Sequence, residues 1–121
     1  MRDAAARWVQ HYILAWTSNE PEDIGALFTR DAVYSTRPDD PEPWNGREQI
    51  VARWIASRDE PGDWTFEWKL LGVDGGRVFV QGRTDYRGDG QSYDNLWIIQ
   101  LAGDGRATAF TEWYMPRAAA G

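Results

Sequence analysis

Three pairs of side chains with acid, base or hydrogen-bonding capacity recur two residues apart: Tyr34 with Thr36, Arg83 with Asp85, and Glu112 with Tyr114. In an extended chain, residues i and i+2 point to the same side, so each pair acts from one face of its strand. Arg83 and Asp85 share a face with Phe79, and Glu112 shares one with Phe110. If both phenylalanines face an enclosed interior, two carboxylates and a guanidinium meet there. Arginine suits that place, because its rigid fork of donors can bridge two carboxylates. Desolvated charges are costly. In a dry pocket one carboxylate therefore keeps its proton near neutrality, which sets an acid beside a base. Tyrosyl and hydroxyl groups nearby can orient water.

A blander reading stands beside this one. Arg83 and Asp85 lie near a strand end, where exposed ion pairs are common and contribute about 0–1 kcal/mol. Glu112, between Thr111 and Trp113, can be a solvated strand residue, and Tyr34 and Tyr114 can be core residues with a hydroxyl at the rim. Asn95 shares a face with Trp97 and Ile99 and offers an amide either to a ligand or to a structural hydrogen bond. His11 is the sole histidine, with no nucleophile elbow or second histidine to work with, so no metal site is expected. Asp39, Asp40 and Glu42 lack calcium-loop spacing and read as solvated.

The elements that must position these groups follow from periodicity. Trp8, Val9, Tyr12, Ile13 and Trp16 form one stripe on an amphipathic helix over 3–17. "SNEPEDIGALF" starts a short second helix, with Asn19 as cap and Glu22 completing a capping box. "DAVYST", 31–36, reads as a strand, and "RPDDPEP" must be loop. Asn45 followed by Glu48 leads a third helix carrying Ile50, Val51, Trp54 and Ile55. Beyond residue 63 the period changes to two. Turn signals around Gly75, Gly90 and Gly105, about 15 residues apart, divide 64–115 into a four-strand antiparallel meander. Helices followed by a meander is an α+β order. Trp64, Phe66, Trp68 and Leu70 mark the inner face of the first long strand. Val78, Val80, Leu96 and Ile98 are expected to cluster on the opposite face, where a second subunit would cover them. The Ala-rich tail is expected to fray.

Composition narrows the function classes. A chain of 121 residues suits one domain, residues 1–121, and eight Trp, five Tyr and four Phe can fill a core or line a pocket for a hydrophobic small molecule. The net charge of −6, without a basic stripe, argues against nucleic acid. No stretch approaches a membrane span or a signal peptide, and no cysteine is present for disulfide or thiolate chemistry, so a cytoplasmic protein is expected.

Residues 3–116 resemble the nuclear-transport-factor-2-like superfamily in its SnoaL-like branch. The stretches that carry the resemblance are "AWTSNEPEDIGALFTRDAVY", "GREQIVARWIAS" and "YDNLWIIQLAGDGRATAFTEWYM". It implies a conical, barrel-like α+β fold: three N-terminal helices packed on a curved antiparallel sheet, a short first strand plus the meander, enclosing a deep pocket. A narrower similarity is to limonene-epoxide-hydrolase-type members, which carry Arg-x-Asp on a central strand, a second Asp on the last strand and Tyr-x-Asn on the first. Arg83-Thr84-Asp85 matches the first motif; Glu112 stands in for the second Asp, and Thr36 for the Asn beside Tyr34. Glu is one methylene longer than Asp, a displacement that can be costly in catalysis. Thr offers one hydroxyl where an amide offers both donor and acceptor.

The resemblance implies a cofactor-independent epoxide hydrolase. Glu112, Tyr34 and Thr36 would activate water, Asp85 would protonate the opening oxygen and Arg83 would hold both carboxylates. Trp64, Phe66, Trp68, Phe79, Asn95, Trp97, Phe110 and Tyr114 would line the substrate pocket. A ketosteroid-isomerase-like isomerase or polyketide cyclase is the alternative chemistry, and a non-catalytic binding or dimerisation module is the alternative class.

Overall fold

The computed structural model describes residues 1–118; of the Ala-Ala-Ala-Gly tail expected to fray, 118–121, the last three lie outside the described residues. The chain runs α1 (Arg2–Ser18), α2 (Pro21–Gly25), β1 (Phe28–Ser35), β2 (Trp44–Asn45), α3 (Arg47–Ala56), β3 (Trp64–Asp74), β4 (Arg77–Tyr86), β5 (Ser92–Leu101) and β6 (Ala107–Pro116). The six strands form one curled sheet in the order β2-β1-β6-β5-β4-β3, open because its edge strands β2 and β3 do not pair. β3 to β6 make the expected antiparallel meander. β1 joins β6 in parallel, and β2, α3 and β3 to β5 lie between the two in the chain, ample length for the crossover a parallel pair needs.

The α1 stripe behaves as its periodicity dictates: Ala5, Trp8, Val9, Tyr12 and Ala15 are all buried. The Trp8 indole then donates to the Leu27 carbonyl at 3.0 Å, tying α1 to the start of β1. Two cap assignments change. Asn19 ends α1 in the left-handed region (φ 53°), while Glu20 precedes α2, whose first residue is Pro21. Proline pre-sets a first helical turn and needs no donor partner there, so the expected capping box is superfluous. Gly46 (φ 84°) precedes α3, because Asn45 is used as a strand residue paired with Val33.

The larger correction concerns the pleat of β4. Val78 and Val80 are fully buried and face the helices with Thr84, whereas Phe79, Arg83 and Asp85 occupy the outer face. Two larger hydrophobic demands fix that phase. Val80 lies opposite Leu70 on one side and opposite Trp97 on the other, both inner-face residues. Gly82 is the position where Phe66 from β3 crosses the strand: an added Cβ would sit 2.4 Å from the Phe66 ring. Because strand periodicity is two, that choice turns every odd-numbered residue from 79 to 85 outward. The apolar part of the outer face is therefore made by Phe79 opposite Ile98 and by Leu96 opposite Trp113, not by the two valines.

Candidate active site

The helices and the inner face of the sheet enclose an open-mouthed cavity of ≈ 520 Å³, within the range that holds small molecules. At its floor Trp97 and Phe110 are completely buried. Tyr12 packs on Trp97 with ring centroids 4.4 Å apart, and Phe66 stacks on the same indole at 4.8 Å. This aromatic base holds the one glutamate of β6 that faces inward. Glu112 Oε2 accepts from Trp97 Nε1 at 2.9 Å and from Asn95 Nδ2 at 3.1 Å. Asn95 is itself oriented by Thr84, whose hydroxyl donates to its Oδ1 at 2.8 Å. Thr84 and Asn95 are the two buried polar side chains of the inner wall, and each has its partner.

Burial pushes the Glu112 carboxyl above the usual carboxylate range. The Trp97 and Asn95 donors pull in the other direction without cancelling it, and the charge of Asp59 adds to the rise. Oε1 receives no protein donor among the described residues, so one oxygen is anchored while the other is free to act.

Tyr12 on α1 and Tyr34 on β1 meet through their hydroxyls at 2.8 Å. Desolvation lifts both phenols well above their ordinary pKa, and the Glu112 charge reinforces the effect. Both therefore stay neutral donors. One hydroxyl proton serves the pair, and the other remains for a ligand oxygen. Across the cavity, in the loop after α3, Asp59 Oδ2 accepts from Trp16 Nε1 at 3.0 Å and from the Tyr86 hydroxyl at 2.8 Å. Its main-chain carbonyl takes Asn19 Nδ2, and Asn19 Oδ1 takes the Trp54 indole, so α1, α3 and β4 all fix this loop. Burial foremost, then the bond to Asp59, raises the Tyr86 phenol.

Of the residues expected to do chemistry, Glu112, Tyr34 and Thr36 line the cavity, and Asn95 and Tyr114 line it as expected for binding. The Thr36 hydroxyl commits its proton to Asp40, which also takes the Thr36 amide; the carboxylate thereby closes the proline-rich loop and is less solvated than expected. Arg83 and Asp85 do not join the site. They form an ion pair on the outer face, Nε to Oδ1 3.2 Å, with side chains 46% and 40% exposed. A hydrogen bond from Ser92 first, and Arg83 second, holds the Asp85 carboxyl below its usual range, the opposite of what an acid near neutrality needs. Phe79 lies with them on the outer face. Trp97 and Phe110 form the floor beneath the lining residues, Phe66 and Trp68 pack against the core beside it, and Trp64 stacks on the Trp16 ring. Tyr12, Trp16, Asp59, Thr84 and Tyr86 were not singled out for chemistry. Tyr12 and Trp16 lie in the helical stripe, where they read as core, and Asp59 has no periodic signal at all.

A helix-wrapped, curled sheet around such a cavity defines the nuclear-transport-factor-2-like superfamily. Residues 9–110 match the SnoaL-like domain, and the chain belongs to that family. Similar folds include a candidate ketosteroid isomerase from Kribbella flavida, with TM-score 0.72 and 21% identity, covering 98% of this chain and 83% of that one. An LEH-like epoxide hydrolase from M. tuberculosis aligns with TM-score 0.70 and 18% identity over 93% of this chain and 79% of that one. An NTF-2-like protein of unknown function from Burkholderia xenovorans reaches TM-score 0.76 at 14% identity, over 99% of this chain and 89% of that one. No curated protein sequence matches significantly. No helix among the described residues is long and apolar enough to cross a membrane.

Proposed function

We propose that the chain is a cofactor-independent enzyme that relocates a proton on a hydrophobic ketone, an isomerase of the ketosteroid-isomerase kind with Glu112 as the base. The observation that carries this reading is the combination, in one cavity, of a carboxylate with a raised pKa and a pair of neutral tyrosyl donors. Glu112 Oε1 takes a proton from the carbon beside a carbonyl. The enolate oxygen that develops accepts the spare hydroxyl proton of the Tyr12–Tyr34 pair as a hydrogen bond, and Glu112 then returns its proton to a more distant carbon. Anchoring of Oε2 limits the carboxylate's motion between the two carbons. Epoxide opening with Asp85 as acid is incompatible with that side chain's position across the sheet. A purely passive module fits less well, because it has no use for an inward carboxylate.

Incubation with a β,γ-unsaturated ketone in D₂O tests the reading. Conjugated product carrying deuterium at its γ carbon, from exchange of the Glu112 proton with solvent, is expected with the natural chain and not with Glu112→Gln. Absence of that product across a ketone panel defeats it, and ¹⁸O from water entering an epoxide would return the hydrolase. We also propose that a second copy covers the outer face around Phe79, Leu96, Ile98 and Trp113. Light scattering should give a dimer that Leu96→Lys dissociates; a monomer in both proteins ends that idea.

A further inference from the structure

We propose that the pocket takes a substrate bearing a positively charged nitrogen, seated against Asp59 between Trp16 and Tyr86 while Glu112 addresses the reacting carbon. The inference rests on the reading of this cavity as the substrate site, and adds the class of molecule it selects. Four carboxylates line the cavity (Asp59, Asp63, Asp89 and Glu112) against one guanidinium, Arg58. Two of the four are committed to rim turns: Asp63 accepts from the Gly88 amide and Asp89 from the Gln91 amide, both at 2.8 Å. The Asp59 and Glu112 carboxylates cap no rim turn; their donors are the neutral indole, phenol and amide side chains of the cavity wall. The ion pairs among the described residues are Arg83–Asp85, Arg106–Asp104 and Arg117–Asp94, none of which includes a pocket carboxylate. Arg58, an exposed residue, points Nη1 at the Ile55 carbonyl, 3.4 Å away.

Each of the two inner carboxylates also keeps an oxygen without a protein donor among the described residues, Asp59 Oδ1 and Glu112 Oε1. The walls around them are aromatic: Tyr12, Trp16, Tyr34, Trp54, Tyr86 and Tyr93. Electron-rich ring faces attract an organic cation, and a carboxylate beside them gives it a hydrogen-bond acceptor and a counter-charge. The same walls repel an anion. The charge of Asp59 disfavours the ionised form of Glu112, so a cation seated beside Asp59 offsets an effect that a neutral ligand leaves in place.

The test compares benzylammonium, benzyl alcohol and benzoate, similar in size and different in charge, by tryptophan fluorescence and calorimetry near neutral pH. Benzylammonium should bind at least about tenfold more tightly than the alcohol, with benzoate weakest. Asp59→Asn should bring amine and alcohol within about twofold, whereas Glu112→Gln should retain most of the preference. Equal or tighter binding of the alcohol or benzoate to the natural chain overturns the proposal, as does failure of all three to bind; neither result depends on whether a variant folds. A preference that survives Asp59→Asn in a protein with an unchanged melting profile overturns it too. Ketone isomerisation without an ammonium preference removes this inference alone. Ammonium preference without isomerisation supports it and removes only the isomerase reading.

Discussion

Asp85 and Glu112 are both strand carboxylates in the same sheet, yet the two faces give them opposite properties. Asp85, on the outside, is hydrogen-bonded by Ser92, paired with Arg83 and made more acidic. Glu112, on the inside, is held by an indole and an amide and made less acidic. A carboxylate with a full cation beside it is a poor proton carrier near neutrality; one with neutral donors and little water is a better one. The side of the pleat therefore matters more than the motif in which the residue stands.

The largest effect expected from that contrast is at Glu112. Glu112→Gln keeps the size and an acceptor oxygen but removes the base, and should lower isomerase turnover by about 10²–10⁴-fold, read from enone absorbance. Phenylalanine substitutions at Tyr12 and Tyr34 come next. Whichever hydroxyl donates to the enolate should lose about 10²–10³-fold and its partner less, so comparing the two variants assigns the donor. Equal, minor losses would mean that the pair is structural.

A stability effect runs the other way. A carboxyl whose pKa is raised on folding favours the fold while protonated, and that contribution fades as pH rises through the folded pKa. Thermal melts should show Glu112→Gln matching the natural chain at acid pH and exceeding it by a few degrees above that titration. The smallest effects belong outside. Asp85→Asn and Arg83→Ala should leave turnover within about twofold and cost about 0–1 kcal/mol in denaturant unfolding. A large loss of turnover with either would restore the outer pair to the mechanism.

Much of the architecture was legible in the residues because periodicity is a local signal. The α1 stripe, the three glycine turns and the Trp64–Leu70 face all stand as read. The shared faces of Glu112 with Phe110 and of Asn95 with Trp97 were likewise legible, from the strand period of two. The β4 phase was not. "RVFVQGRTDY" alternates apolar residues with an apolar and then a charged set, so either face can be called the inner one. The choice is made by partners distant in sequence, Leu70 and Trp97 across from Val80 and the Phe66 ring over Gly82. Asp59 was invisible for a related reason. Its place depends on a loop held by Trp16, Asn19 and Tyr86, contacts that no window around residue 59 contains.

The Trp16 and Trp64 rings lie parallel, 11° apart in plane and 3.7 Å between centroids. Two indoles that close share their electronic excitation, so their absorption bands should split into a pair of opposite-signed circular-dichroism lobes. Trp16 also holds Asp59 through its indole N–H. The protein thus carries an optical gauge on one wall of its cavity, and occupancy there should be readable as a change in the exciton couplet without any label.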